Sequence, residues 1–317
     1  MPCSNGAVTS STVEPLHRPR RLRGGDRVVI VSPSGPAPHD RIEAGATILR
    51  DWGLDVTVAP HAAARSERFS YLAGDDDVRA SEFQAAWCDP DVAAVVCARG
   101  GYGVQRMLER LDWGAMRDAG PKVLVGYSDI TALHGAVATH LGLVSLHAPM
   151  SATEVFLNDE ATAEHLRRTL FEPESVQTLA APEARALVGG RATGVTLGGC
   201  LSLLAGEIAT PTGVPSAAGG LLLLEDVEEK AYRIDGYLTH LRRSGWLDEV
   251  AGVVLGSWRD CEPLDEVLAD RLGDLGVPVL ADLGFGHCAS TLTVPLGVPA
   301  TLDADALTLA LDVPALA

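Results

Sequence analysis

Between residues 28 and 147 short apolar runs alternate with stretches of helical period, and this alternation restricts the fold more than any other feature of the chain. The run 28–31 (VVIV) is followed by Ile42, Ala46, Leu49 and Trp52, spaced as one helix face and ended by Gly53, and then by a run at 55–59. That is one β-α-β unit. The pattern continues as a helix around 76–87, a strand at 92–98, a helix at 104–111, a strand at 123–126, a helix at 130–141 and a strand at 144–147. Runs such as VVIV and VLV lack polar alternation, which suits strands buried on both faces. The expected fold class is therefore α/β, with a parallel sheet covered by helices on both sides. Ligand sites in such sheets lie outside the carboxyl ends of the strands.

Two strand ends carry unusual residues. Gly126-Tyr127-Ser128-Asp129 joins the run VLV directly to a helix whose apolar positions are Ile130, Leu133, Val137 and Leu141. Ser128 thus stands at a strand-to-helix corner, where the first amides of the helix can face a developing oxyanion. The plain alternative is that Ser128 and Asp129 only cap the helix. The other end is Arg99-Gly100-Gly101-Tyr102-Gly103. Its glycines would let backbone amides approach a ligand, although a tight turn explains them equally well. It has neither GxGxxG nor GxxxxGK[ST] spacing, so a dinucleotide or P-loop site is not indicated.

The second half restarts after a change of character. Residues 151–185 read as a linker with one amphipathic helix near 160–170, and the glycine-rich stretches 189–194 and 197–204 open a second domain. A four-leucine strand, 221–224, ends in Glu225-Asp226 and leads to a helix through Ile234, Leu238 and Leu241. Then come a strand at 253–255, a helix at 264–272, a strand at 277–281 and the turn Gly284-Phe285-Gly286-His287-Cys288. Residues 292–311 alternate like antiparallel strands. The expected organisation is a flexible tail at 1–23, a nucleophile domain at 24–150, the linker at 151–185 and a C-terminal domain at 186–317.

Composition narrows the ligand. The 317 residues carry a formal net charge of −17, which disfavours nucleic acid and anionic membrane faces and leaves a small molecule as the expected partner. No apolar run approaches the roughly 18 residues of a membrane span. The pair Arg20-Arg21 is followed by too short an apolar stretch for an export signal. Six scattered cysteines, without CxxC spacing, suggest neither a zinc site nor a disulfide framework, so a reducing cytoplasm is the expected location.

Ser128, Glu225 and His287 therefore all lie at strand ends. A serine hydroxyl needs a base to take its proton, and a carboxylate on the far ring nitrogen fixes the tautomer of that base. His287 alone stands in a glycine-lined turn of the second domain; His147, at the end of its own strand, is the competing base. His134, His140, His165 and His240 fall on predicted helices and read as surface or core residues. The order Ser-acid-His is that of α/β-hydrolases, but Ile130 occupies the second glycine position of their GxSxG elbow.

The motifs ARGGYG at 98–103, GYSDIT at 126–131, LEDVEEKAYRID at 224–235 and GFGH at 284–287 occur in an order that resembles the LD-carboxypeptidase family of serine peptidases, which includes the microcin-immunity peptidases. The likeness spans about residues 24–313. It implies Ser128 as nucleophile, Glu225 as charge-relay acid and His287 as base, with Gly101 and Asp129 amides as oxyanion donors. It implies a class I amidotransferase-like N-terminal domain, a smaller swivelling α/β C-terminal domain, no metal or other cofactor, and a homodimer. The substrate implied is a small peptide ending in a D-amino acid, above all the murein tetrapeptide of cell-wall recycling. Arg99 and Arg233 are the candidates for its carboxylate. Two other readings stay open: hydrolysis of nucleotide-bearing peptide antibiotics, disfavoured because 151–185 contains Phe156 and Phe171 but no tryptophan, and a non-catalytic binding protein, for which three intact site residues would be unnecessary.

Overall fold

The computed structural model describes residues 12–317, arranged about two sheets. The first part of the chain forms β1 (Arg27–Val31), α1 (His39–Asp51), β2 (Asp55–Val58), α2 (Asp76–Cys88), β3 (Val92–Cys97), α3 (Trp113–Asp118), β4 (Val123–Gly126), α4 (Thr131–Leu141) and β5 (Ser145–His147). It continues through α5 (Glu154–Asn158), α6 (Glu160–Phe171), β6 (Thr178–Leu179), β7 (Arg185–Val188), β8 (Arg191–Cys200), α7 (Leu201–Glu207), β9 (Gly220–Val227) and α8 (Ala231–Arg243). The remainder is β10 (Gly252–Arg259), α9 (Asp265–Leu272), β11 (Val279–Ala281), β12 (Val294–Leu296), β13 (Pro299–Asp303) and β14 (Thr308–Leu311).

The first sheet has the order β12-β5-β4-β3-β1-β2, and β1 to β5 run parallel; the apolar runs of β1, β3 and β4 suit its buried centre. Its sixth strand comes from the other half of the chain: β12 pairs antiparallel with β5 and sets Val294 opposite His147. The second sheet, β6-β14-β13-β8-β9-β10-β11-β7, has β8 to β11 parallel at its centre and antiparallel strands outside. The fold class is α/β, with a parallel-sheet domain and a second sheet domain.

Four local expectations require correction. The stretch 12–23 is docked rather than flexible: Leu16 N–H donates to Gly297 O at 2.8 Å, Leu22 N–H to Leu170 O at 2.9 Å, and the Leu22 side chain is 2% exposed in the core beneath the first sheet. Residues 1–11 of the expected tail lie outside the described residues. The expected linker is no spacer, because Leu166 and Leu170 of α6 fill that same core. Residues 104–111 form two short 3-10 turns instead of one helix; Gly103 O and Val104 N–H at their start are already bonded to Arg79 and Asp129. Finally, the glycine-rich stretch 189–200 contains the ten-residue strand β8. There Gly199, at φ +138°, lies so close to α4 that an added Cβ would stand 2.5 Å from Thr131 Oγ1. Of the glycines that hid the strand, Gly199 lets the two halves of the chain approach, and Gly194 and Gly198 let β8 lie close to β9.

Because Leu22 is enclosed, Leu22→Ala should destabilise the protein by about 2–5 kcal/mol in urea denaturation. A change below about 0.5 kcal/mol would mean the stretch is not packed as described.

Candidate active site

The strand β4 is buried throughout and ends at Gly126, where an added Cβ would lie 2.8 Å from Ile130 Cγ1. The glycine therefore makes room for the side chain that begins the next helix, and this explains why Ile130 is tolerated where other serine elbows carry a second glycine. Ser128 follows at φ +64°, a left-handed conformation that is costly for any residue with a Cβ. The 3-10 turn Ser128–Ile130 then runs into α4. From inside α4, the buried His134 bonds Gly126 O at 2.9 Å and Ser145 Oγ at 2.8 Å, tying the helix to β4 and β5. Burial, assisted by the neighbouring His147, pushes its pKa down to about 3, so this ring is a neutral brace.

Opposite the elbow stands the loop after β3. A Cβ at Gly100 would lie 3.0 Å from Ser128 Cβ and 3.1 Å from Ser128 Oγ, so the backbone there passes directly over the hydroxyl. Gly101 takes φ +116°. Among the described residues the amides of Gly101 and Asp129 donate no hydrogen bond, which leaves both available beside Ser128. The side chain of Asp129 serves the scaffold instead, accepting from Ser34 Oγ at 2.6 Å and from Val104 N–H at 2.9 Å and so joining the loops after β1, β3 and β4. Burial raises its pKa despite those two donors. The buried guanidinium of Arg79 adds bonds to Pro33 O and to Gly103 O and an ion pair with Asp76. Sequence reasoning missed Ser34 and Arg79, because SPSG at 32–35 signalled only the end of a strand and Arg79 lay on a predicted helix.

The structure joins Glu225 and His287. Glu225 stands on β9, entirely buried, and its Oε2 lies 2.6 Å from His287 Nδ1 and 3.3 Å from His287 N. An added Cβ at Gly286, φ +88°, would lie 2.5 Å from that oxygen, so the second glycine of GFGH admits the carboxylate. Ser257 Oγ on β10 holds His287 O at 2.8 Å. Burial alone would raise the pKa of Glu225, but the charge and hydrogen bond of His287, with a contribution from His147, hold it at about 2. Burial likewise pulls His287 down, and Glu225 with Asp226 more than offsets this, so its pKa is raised. Asp226 points away and accepts from Ser202 N–H at 2.8 Å and Val227 N–H at 2.9 Å.

The other half of the expected relay is less tight. Tyr127, next to Ser128, packs its ring 4.7 Å from that of His287, yet Ser128 Oγ and the His287 ring form no hydrogen bond. Such contacts tighten when the reacting complex forms. His147 lies on the far side of Glu225, with Nε2 3.6 Å from Oε1. Of the two candidate cations, Arg233 is exposed and paired with Glu229 at 2.5 Å. Arg99 donates to Pro36 O at 3.0 Å and has no carboxylate partner among the described residues. It lines a cavity of about 340 Å³ that also touches Gly101, Tyr71 and Tyr102.

Comparison with known proteins matches residues 28–148 to the LD-carboxypeptidase N-terminal domain and residues 193–302 to the LD-carboxypeptidase C-terminal domain. The chain belongs to the LD-carboxypeptidase family. A Streptomyces coelicolor protein named among the carboxypeptidases is 62% identical over 304 residues, covering 95% of this chain and 98% of the relative. The murein tetrapeptide carboxypeptidase of Pseudomonas aeruginosa is 33% identical over 299 residues, covering 89% of this chain and 94% of its own. Among solved structures, the microcin C7 self-immunity protein MccF in complex with glutamyl sulfamoyl guanosine has the same fold, with a TM-score of 0.84 at 21% identity over 95% of this chain and 99% of that one. Membership places this chain among the serine-type hydrolases.

The approach of Gly100 to Ser128 gives a test in this member. Gly100→Ala should fold, since Gly100 does not need a positive φ, yet lose on the order of 10²-fold in kcat/KM with a small peptide substrate, by displacing either the hydroxyl or the loop. Unchanged kcat/KM would show that this loop does not border the reacting centre.

Proposed function

We propose that this protein is a serine LD-carboxypeptidase that hydrolyses the amide between an L-centre and a C-terminal D-amino acid, releasing D-alanine from murein tetrapeptide. The observation that carries the proposal is the buried Glu225 carboxylate on Nδ1 of His287, whose ring stands beside the elbow that holds Ser128 at a positive φ. Glu225 fixes the tautomer that leaves Nε2 able to accept a proton and stabilises the imidazolium that results. Ser128 Oγ attacks the carbonyl carbon as His287 takes its proton, and the N–H groups of Gly101 and Asp129 receive the oxyanion. Collapse expels the D-amino acid, whose nitrogen takes the proton from His287. Water then repeats the sequence on the ester and restores Ser128. Arg99, which has no carboxylate partner among the described residues and lines the same cavity as Gly101, is the cation assigned to the C-terminal carboxylate of the substrate.

The murein tetrapeptide is favoured by the relative of that name, at 33% identity. The fold shared with MccF favours a second reading, a nucleotide-bearing peptide antibiotic. Against it, Phe156 is 1% exposed and packs edge-on to Trp52 at 5.8 Å, while Phe171 lies against the same core. The enclosed Phe156 ring is not free to stack on a nucleobase. Incubation with murein tetrapeptide, tripeptide and an aminoacyl-sulfamoyl nucleotide, followed by mass spectrometry, tests the assignment: D-alanine should leave the tetrapeptide alone, and cleavage of only the nucleotide conjugate would overturn it.

Ser128→Ala should remain folded and lose about 10³-fold or more in turnover. Glu225→Gln should cost on the order of 10⁴-fold, whereas Asp226→Asn should cost far less; the reverse ranking would refute the assignment of the acid. The base works unprotonated, so activity is present above the pKa of His287 and lost below it. Because Glu225 helps to raise that pKa, the acid limb of kcat/KM should lie above the ordinary histidine value and move to lower pH in Glu225→Gln. An acid limb that stays in place would show that Glu225 does not act on the base.

A further inference from the structure

Glu225 has two oxygens, and the relay accounts for one. Among the described residues its Oε1 is buried without a hydrogen-bond partner, and so is Nε2 of His147, 3.6 Å away. Both side chains are enclosed, at 0% and 2% exposure. Two buried polar atoms that face each other and have no other partner are costly unless they pair. With Glu225 ionised, only a nitrogen carrying a proton can satisfy Oε1.

The surroundings favour that arrangement. His147 ends β5, paired with β4 through Gly126 and with β12 through Val294, so its backbone is fixed on both sides. Its ring packs against Tyr127 at 5.8 Å, His134 at 6.3 Å and Phe285 at 5.7 Å. Of the titratable groups that face it, Tyr127, His134 and Glu225, the tyrosine and the histidine are neutral and only the carboxylate is charged. A shortening of about 0.7 Å from the present 3.6 Å brings the pair into the charge-assisted range.

We propose that His147 is a positioning residue for the acid: its Nε2–H hydrogen-bonds Glu225 Oε1 and holds the carboxylate in the rotamer that directs Oε2 at His287. Without that bond the carboxylate is free to turn about its side-chain torsions, and the base loses its fixed tautomer in a fraction of molecules. The proposal rests on the reading of Glu225 and His287 as acid and base.

Glutamine and methionine have nearly the same shape, but only glutamine places an N–H donor where Nε2 of His147 stands. The test compares the full-length wild type, His147→Gln and His147→Met on murein tetrapeptide. His147→Met should lose about 10- to 100-fold in kcat with KM nearly unchanged, and His147→Gln should stay within about threefold of wild type. Equal rates in the two variants, or a loss confined to KM, would overturn the proposal. If His147→Met does not fold, His147→Gln decides by itself, retention supporting the proposal and loss overturning it. Should the wild type hydrolyse no such peptide, the assigned function has failed, and a proton NMR readout tests the positioning separately. The downfield Nδ1–H resonance of His287 should persist in His147→Gln and disappear in His147→Met; its persistence in both would overturn the proposal.

Discussion

The most demanding feature of this molecule is a full negative charge, Glu225, placed where water does not reach. A buried carboxylate is costly unless it is paired and hydrogen-bonded, and the surrounding structure supplies those partners. The strand β9 carries it on a rigid element, between β8 and β10. Gly286 gives up a side chain so that the oxygen can reach the backbone and ring of His287. The same interaction that makes the charge tolerable also raises the affinity of His287 for a proton, so structural and chemical requirements are met by one contact.

That contact must also lie close to Ser128, which belongs to the other sheet. The two halves are joined near the site rather than only at a distant surface. β12 completes the first sheet beside β5, Thr131 at the start of α4 accepts from Cys200 N–H at 3.0 Å, and Gln105 donates to Glu207 at 2.8 Å. Thr131 lies three residues beyond the serine, and Cys200 pairs in register with Glu225. The backbone of the elbow and the backbone of the acid are therefore linked through a short path of strand and helix termini, which is how placement of a few tenths of an ångström can be kept between domains.

How much of this was legible in the sequence depended on the kind of signal. Apolar runs without polar alternation marked β1, β3 and β4, and the abrupt change of period at 126–131 marked the elbow, because burial on two faces and helical spacing leave direct traces in residue order. The motif GFGH located His287, and its second glycine has a visible purpose only once the carboxylate is seen beside it. Other features left no local trace. Strand β8 was concealed by glycines whose function is close approach to Leu223 and Thr131, residues distant in sequence. The docking of Leu22 is a tertiary event that a basic, proline-containing stretch does not announce. For His147, position at a strand end was readable, but whether it faced the serine or the acid depended on the path of β9. The cation was ambiguous for a similar reason: the pairing of Arg233 with Glu229, and the cavity that Arg99 shares with Gly101, separate the two only in three dimensions.

The central claim is that Ser128, activated through His287 and Glu225, forms a covalent acyl-enzyme. Rapid acid quenching of the wild type during turnover of murein tetrapeptide, followed by proteolytic mapping in a mass spectrometer, measures this directly. The expected result is a peptidyl ester on the fragment containing Ser128, of the mass of the tetrapeptide less its terminal D-alanine, with free D-alanine in solution. An acyl group on any other side chain, or incorporation of solvent oxygen into the product during continued release of D-alanine with no Ser128 ester at any quench time, would contradict it.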